Sequence, residues 1–182
     1  MEKHESRRAK MTKRLLHEAL MELMQEKPFK QITIKELCER ADLNRTTFYL
    51  HYADQQSVLD DIEREVKEQT LAYIQNVNPS AKAVDLIEAF LHYIQKNEVL
   101  FRTLLCNNNG DDFQVELIQY ILEGIRTNLP NYGDPTTERY VHTFLMHGSV
   151  HIIIDWIEAG FDLPAREVAK LCFRLCDSVR TM

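Results

Sequence analysis

The chain has 182 residues, 45% apolar and 27% charged, an ordinary balance for a water-soluble globular protein of one domain or two small ones. Five Gly and five Pro leave little room for a turn-rich β architecture, and no run of about 18 apolar residues offers a membrane span. The net charge of −6 is uneven: residues 1–53 carry 11 Lys/Arg against 8 Asp/Glu, a net of +3, and residues 54–182 carry 11 against 20, a net of −9.

Ser6 to Glu26 places Met11, Leu15, Leu16, Ala19, Leu20, Leu23 and Met24 at spacings of three and four, which predicts an amphipathic first helix. Its start is basic, with Arg7, Arg8, Lys10, Lys13 and Arg14. A solvated helix end is the plain reading of that charge. The amino end has charge but neither an apolar core nor a small-residue cleavage site, so no signal peptide is read and a cytoplasmic location is expected. Pro28 ends the helix, and Phe29 and Ile32 are expected to close a small three-helix head.

The stretch Thr33 to Tyr52 carries the most information. Thr33 and Glu36 have capping-box spacing, and Ile34, Leu37 and Ala41 share one face of a short second helix. Asp42 and Leu43 make a break with Asn44, which suits the N-cap of a third helix. Phe48 and Tyr52 are four apart and turn the same way, most simply into a core. The other side presents Arg45, Thr46, Thr47, Tyr49 and His51, whose guanidinium and hydroxyls suit base edges and phosphate oxygens. A helix N-terminus adds free N–H groups suited to phosphate.

This stretch resembles the DNA-binding domain of the tetracycline-repressor (TetR) family. The likeness runs from Arg7 to Leu59, and its most specific part, Asn44 to Tyr52, follows the family pattern Ser/Asn-x-x-Thr-Phe/Leu-Tyr-x-His-Phe/Tyr. The resemblance implies a DNA-contact set of Thr33, Lys35, Asn44, Arg45, Thr46, Thr47, Tyr49 and His51, with Thr33 and Asn44 also serving as caps. Two departures stand out. Asp42 occupies the turn where the family usually has Gly, and Gln55 stands where the family often has a phosphate-touching Lys.

Asp54 reads as the cap of a fourth helix to about Val77, with Val58, Leu59, Ile62, Val66, Thr70 and Tyr73 as its stripe and the acidic run Asp60, Asp61, Glu63 and Glu65 as a solvated face. Asn78-Pro79-Ser80 is a break, with Ser80 capping a fifth helix of Val84, Ile87, Phe90, Leu91 and Ile94. Asn97 is expected to cap a short sixth helix, and Asn107 to Gly110 to form a turn. The seventh helix is expected over Asp111–Leu129 and the eighth over Thr136–Ala159, stopped by Gly160. The ninth opens at Pro164 and runs to near Arg180. The run Tyr140 to Gly160 is apolar over most of its circumference, which suggests a partner surface.

The resemblance implies that helices eight and nine pair with those of a second copy in a four-helix bundle, with His147, Gly148, His151, Trp156 and Phe173 at or near that interface. The carboxyl-terminal segment also resembles a TetR subgroup, some of whose members respond through partner proteins. Effector pockets in the family lie among helices four to seven with help from eight. By that likeness Tyr73, Phe90, Tyr93, Phe101, Leu105, Phe113, Tyr120 and Phe144 are ligand candidates, although each alone reads more readily as plain core. Such aromatic lining would suit an apolar or amphipathic ligand.

Cys38, Cys106, Cys172 and Cys176 read as free thiols, and the last two, one turn apart, lack the further ligands of a zinc site. His147, His151 and Asp155 share a helix face, but with no further ligand placed the expectation is interface packing and no metal. There is no Gly-rich phosphate loop, nucleophile elbow or zincin motif, and neither an enzyme nor a cofactor is expected.

The expectation is therefore an all-α protein with a helix-turn-helix head (1–53) and a six-helix regulatory and dimerisation body (54–182). The resemblance implies a homodimer on a near-palindromic double-stranded DNA operator, with repression the family habit. Control would come from a small apolar effector or, alternatively, a protein co-regulator. A helical ligand- or metal-binding protein with an idle head is the reading from another class. No membrane contact is expected.

Overall fold

The computed structural model describes residues 7–76, 81–106, 111–124 and 134–180. The architecture is all-α, and no strand occurs among the described residues. The chain forms two compact units whose boundary falls inside the fourth helix, between Val66 and Lys67.

In the first unit, α1 (Arg7–Glu26) buries Leu16, Ala19, Leu20, Leu23 and Met24, while Met11, expected in the same stripe, is exposed. A 3₁₀ turn at Phe29–Gln31 follows Pro28, and Phe29 and Ile32 are buried as expected. Next come α2 (Ile34–Arg40), α3 (Arg45–Tyr49) and α4 (Gln55–Gln75). Asp54 caps α4: its Oδ1 accepts from the Ser57 backbone N–H at 2.8 Å and from the Ser57 hydroxyl at 2.7 Å. Val58, Leu59, Ile62 and Val66 form the buried stripe of α4 in this unit.

In the second unit, α5 (Ala83–Lys96) begins after Lys82, whose backbone N–H donates to Asp85 Oδ2 at 3.0 Å. Ser80, the expected cap, lies outside the described residues. Asn97 stands before α6 (Glu98–Phe101) but makes no capping bond. Its side-chain amide donates back to the Tyr93 carbonyl, so the expected cap is instead a tie to the end of α5. From Arg102 to Cys106 the chain widens to π-helical winding, and the Leu105 carbonyl accepts from buried Gln114 Nε2 at 2.5 Å. The helix α7 is described over Asp111–Gly124; its expected continuation to Leu129 and the turn Asn107 to Gly110 lie outside the described residues.

The helix α8 (Pro135–Glu158) buries Leu145, Met146, Val150, Ile153, Trp156 and Ile157, and α9 (Ala165–Arg180) buries Ala165, Val168, Ala169 and Cys172 against α5. A Schellman closure ends α8: Gly160 N–H donates to the Ile157 carbonyl and Phe161 N–H to the Trp156 carbonyl, with Gly160 at φ 71°. Arg166 ties α9 to α5 through Asp85 at 2.7 Å and through Glu88.

Candidate nucleic-acid interface

The first unit assembles a helix-turn-helix from local chemistry. Thr33 and Glu36 form the full capping box: Glu36 N–H donates to Thr33 Oγ1 at 3.3 Å, and Thr33 N–H to Glu36 Oε2 at 3.0 Å. Lys27 Nζ reaches Glu36 Oε1 at 2.6 Å, and this bond, with those from Thr33, holds the Glu36 carboxyl down at about 2. Lys27 and Glu36 also line a groove of about 590 Å³ with Glu26, Glu39 and Arg40, where Arg40 pairs with Glu22 and Glu26.

The turn after α2 closes on Asp42. Leu43 N–H donates to the Cys38 carbonyl at 2.9 Å and Asp42 N–H to the Glu39 carbonyl at 3.3 Å, with Asp42 at φ 52°. That is a second Schellman closure, built on the left-handed residue at which Gly is favoured. Asn44 then caps α3, its Oδ1 accepting from the Thr47 N–H at 2.7 Å.

With Phe48 fully buried and Tyr52 7% exposed, α3 is held from behind by two rings whose centroids lie 6.2 Å apart. The outer face presents Arg45, Thr46 and Tyr49 to solvent, whereas Thr47 and His51 are half-buried. Tyr49 is 58% exposed and stands edge-on against Phe48, centroids 5.4 Å apart, which braces its ring while leaving the hydroxyl outside. Among the described residues no ion pair involves Arg45. Lys35 is exposed and lies 3.7 Å from Glu39 on its own helix, while Thr33 and Asn44 are exposed but already committed as caps. This helix therefore has an apolar back and an outward cation, hydroxyl and phenol, a donor set suited to duplex DNA.

Sequence reasoning missed two features here. Leu50, 76% exposed, extends the outer face beside Thr46. The other lies behind the helix. Tyr52 Oη donates to Asp61 Oδ2 at 2.7 Å and, with its proton so used, accepts from His17 Nε2 at 2.8 Å. Lys13 Nζ lies 3.5 Å from the same carboxylate oxygen, and Arg64 bonds its other oxygen. Asp61 is thus not part of a solvated acidic face: its side chain is 13% exposed because α1 and the tail of α3 cover it. Burial pushes its carboxyl upward, but the bonds from Tyr52 and Arg64 and the Lys13 charge outweigh that and hold it at about 2. Burial pushes the His17 imidazolium below its ordinary range, against the pull of Glu65 and Asp61. The available signal was His17 itself, a polar residue set between Leu16 and Leu20 on the buried side of α1.

In the second unit, the ligand candidates separate. Tyr73 and Tyr93 lie 4.8 Å apart, Tyr93 meets Phe101 edge-on at 5.8 Å, and Phe101 meets Phe90 at 6.4 Å, a continuous run of rings from α4 through α5 to α6. Phe113 is buried beneath Lys67, whose ammonium lies 6.0 Å from its ring. Leu105 is buried, Tyr120 is at the surface, and Phe144, 67% exposed, stands on the open side of α8. There Tyr140, Phe144, His147, Gly148 and His151 are exposed together. Trp156 instead turns inward, its indole N–H donating to the Leu163 carbonyl at 2.8 Å, and Phe173 is half-buried. His151 Nδ1 lies 2.9 Å from the His147 carbonyl, and no cluster of three metal-ligating side chains occurs among the described residues. Nor is any described helix long and apolar enough to cross a membrane.

Residues 16–62 match the family model described as bacterial regulatory proteins, tetR family, and residues 82–178 match one described as a transcriptional regulator C-terminal region. The regulator YxbF of Bacillus subtilis, described as an uncharacterized HTH-type transcriptional regulator, is 37% identical over 51 residues, 28% of this chain. That match spans only 13% of YxbF. The fold is similar to a TetR transcriptional regulator of Streptococcus agalactiae, with a TM-score of 0.71 at 19% identity over 93% of this chain and 96% of that one. It is also similar to the fatty acid degradation regulator FadR of Bacillus halodurans, at 0.60 and 12% identity over 91% and 94% of the two chains. A third likeness is to the dihydroxyacetone kinase operon activator DhaS, at 0.54 and 15% identity over 93% and 96%.

Proposed function

Because the chain belongs to the TetR family of bacterial transcriptional regulators, we propose that it works as a homodimer that binds a near-palindromic DNA operator through α3 and represses transcription until its body is engaged by an effector. The head is residues 1–53 and the regulatory and dimerisation body residues 54–182.

The observation that carries this reading is the division of α3 into a back sealed by Phe48 and Tyr52 and a front of Arg45, Thr46 and Tyr49. The front supplies hydroxyls and a guanidinium for base edges and a phenol for phosphate, and the capped start of α3 adds backbone N–H groups. Lys35 and His51 flank this set, and Thr33, Asn44 and Thr47 border it through their backbone and remaining side-chain capacity. Two copies would set their α3 helices in successive major grooves, about 34 Å apart.

Self-association is supported by the open side of α8. Tyr140 and Phe144 are about two-thirds exposed there, and a Cβ built on Gly148 would meet nothing within 4 Å of its own subunit. On α9, Leu171 and Leu175 are likewise exposed. His147 and His151 lie within the proposed α8 face, while Trp156 and Phe173 support it from behind. The aromatic run Tyr73, Tyr93, Phe101 and Phe90 is the proposed effector locus, with Leu105, Phe113 and Tyr120 as its borders, and its chemistry suits an apolar or amphipathic molecule.

The test is selection of duplexes from a random double-stranded library by the full chain. Enrichment of an inverted repeat, bound two chains per duplex with affinity falling steeply as salt rises, is the expected result. Failure to enrich any sequence overturns the proposal.

A further inference from the structure

A helix of five residues cannot hold its own orientation, because one turn fixes many dihedral angles for few hydrogen bonds. In α3 (Arg45–Tyr49) the interior side chain is Phe48, and apolar burial is non-directional: it holds a ring without fixing the twist of the backbone that carries it. Directional contacts must supply that. At the start they come from the Asn44 cap. Past the other end, the His51 and Tyr52 backbone N–H groups donate to the Phe48 carbonyl at 2.9 and 3.0 Å, so the chain as far as Tyr52 moves as one piece with α3.

We infer that Asp61 on α4 is the positioning residue of the recognition helix: its carboxylate, acting through the Tyr52 hydroxyl and backed by His17 on α1, sets the angle at which α3 meets the DNA. Two helices, α4 and α1, converge on the phenol oxygen carried just past α3, which donates to Asp61 at 2.7 Å and accepts from His17 at 2.8 Å. Lys13 and Arg64 fix the carboxylate from two further directions. Bonds to an ionised acceptor are shorter and stiffer than neutral ones, so this chain resists rotation of α3 where the Phe48 contact does not. Asp61 itself touches no DNA.

The inference rests on the DNA-binding reading above, and its test keeps the two apart. The full chain first enriches a duplex from a random library. Affinity for that duplex and for a scrambled one of equal length is then measured for wild type, Tyr52→Phe, Asp61→Asn and the double variant, each with its unfolding midpoint. A misaimed helix still meets phosphates but no longer aligns with base edges. Tyr52→Phe is therefore expected to lose about tenfold in preference for the selected over the scrambled duplex, with little change on the scrambled one. Asp61→Asn should lose less, and the double variant should lose no more than Tyr52→Phe alone. An unchanged preference in Tyr52→Phe, or multiplicative losses in the double variant, overturns the positioning role. Should Tyr52→Phe not fold, Asp61→Asn with His17→Gln carries the same comparison, and an unchanged preference there overturns it equally. A wild type that enriches nothing sinks the DNA-binding reading instead.

Discussion

Trp156 and Phe161 meet edge to face, ring centroids 4.8 Å apart, across the Schellman closure that ends α8. These are the two positions that such a closure brings into apolar contact. Their pairing lets Gly160 at φ 71° and Phe161 at φ 61° hold left-handed conformations in succession. The bond from the Trp156 indole to the Leu163 carbonyl then fixes the start of the path to α9. Replacing Phe161 by Leu keeps apolar area but removes the ring pair, for an expected loss of about 1 kcal/mol. Because Trp156 is the single tryptophan of the chain, urea unfolding followed by its fluorescence reads that loss directly.

Asp42 invites the opposite change. Its left-handed backbone carries the turn between α2 and α3, and a Cβ there is strained. Asp42→Gly relieves the strain at some cost in unfolded-chain entropy, for a net gain of about 0.5 kcal/mol. Thermal unfolding of the two forms should show the glycine variant melting higher; a lower midpoint would mean the Asp42 side chain contributes more than its strain costs.

Acid should weaken the first unit in two steps. His17 is held neutral by burial, with its pKa below 6.5, so the unfolded chain takes up that proton first, and stability present above pH 6.5 declines as pH falls through that value. Asp61 is held ionised at about 2 against an ordinary 3.8, so its contribution is complete above 3.8 and is lost as pH falls toward 2. Burial acts on both groups; Glu65 and Lys13 further act on His17, and Tyr52, Arg64 and Lys13 on Asp61. Urea unfolding at about pH 8, 5.5 and 3 should show both losses in wild type, only the lower one in His17→Gln, and a smaller lower one in Asp61→Asn, where Glu36, also held at about 2, still titrates.

Sequence patterning reaches the head almost to the atom where the rule is local. The Thr33–Glu36 box, the Asn44 and Asp54 caps and the buried pair Phe48 and Tyr52 all depend on residues a few positions apart, and the structure has each of them. What depends on distant residues is not legible in that way. Asp61 reads as surface because its neighbours Asp60 and Glu63 are acidic, and only α1 folding over it makes it an interior group. The resemblance implies Trp156 at or near an interface, and the sequence alone does not show that its indole bonds the Leu163 carbonyl of its own subunit. Asn97 occupies a cap position but bonds backward, since the Tyr93 carbonyl at the end of α5 is nearer to hand.

Gly148 separates folding from self-association. Nothing in its own subunit lies within 4 Å of where a Cβ would stand, and the residue sits in mid-helix. Gly148→Ala should therefore stabilise the helix by about 0.8 kcal/mol through propensity alone. If a second copy approaches there, the same methyl weakens the dimer. Sedimentation across a concentration series should show a raised dissociation constant for Gly148→Ala and a larger rise for Phe144→Asp, whose ring is already outside the subunit. An unchanged constant in both variants would remove α8 from the interface.

The outer face of α3 predicts two distinct failures. Tyr49 offers one exposed hydroxyl at the edge of that face, and Tyr49→Phe should cost about 1 kcal/mol on every duplex alike, as the loss of a phosphate bond does. If Thr46, beside exposed Leu50, reads base edges as proposed, Thr46→Ala should cost about 1–3 kcal/mol on the selected duplex while barely affecting a scrambled one. Anisotropy titrations on both duplexes distinguish these results. A Thr46→Ala variant that loses equally on both would move that side chain from base reading to phosphate contact. A Tyr49→Phe variant selective in its loss would move Tyr49 the other way.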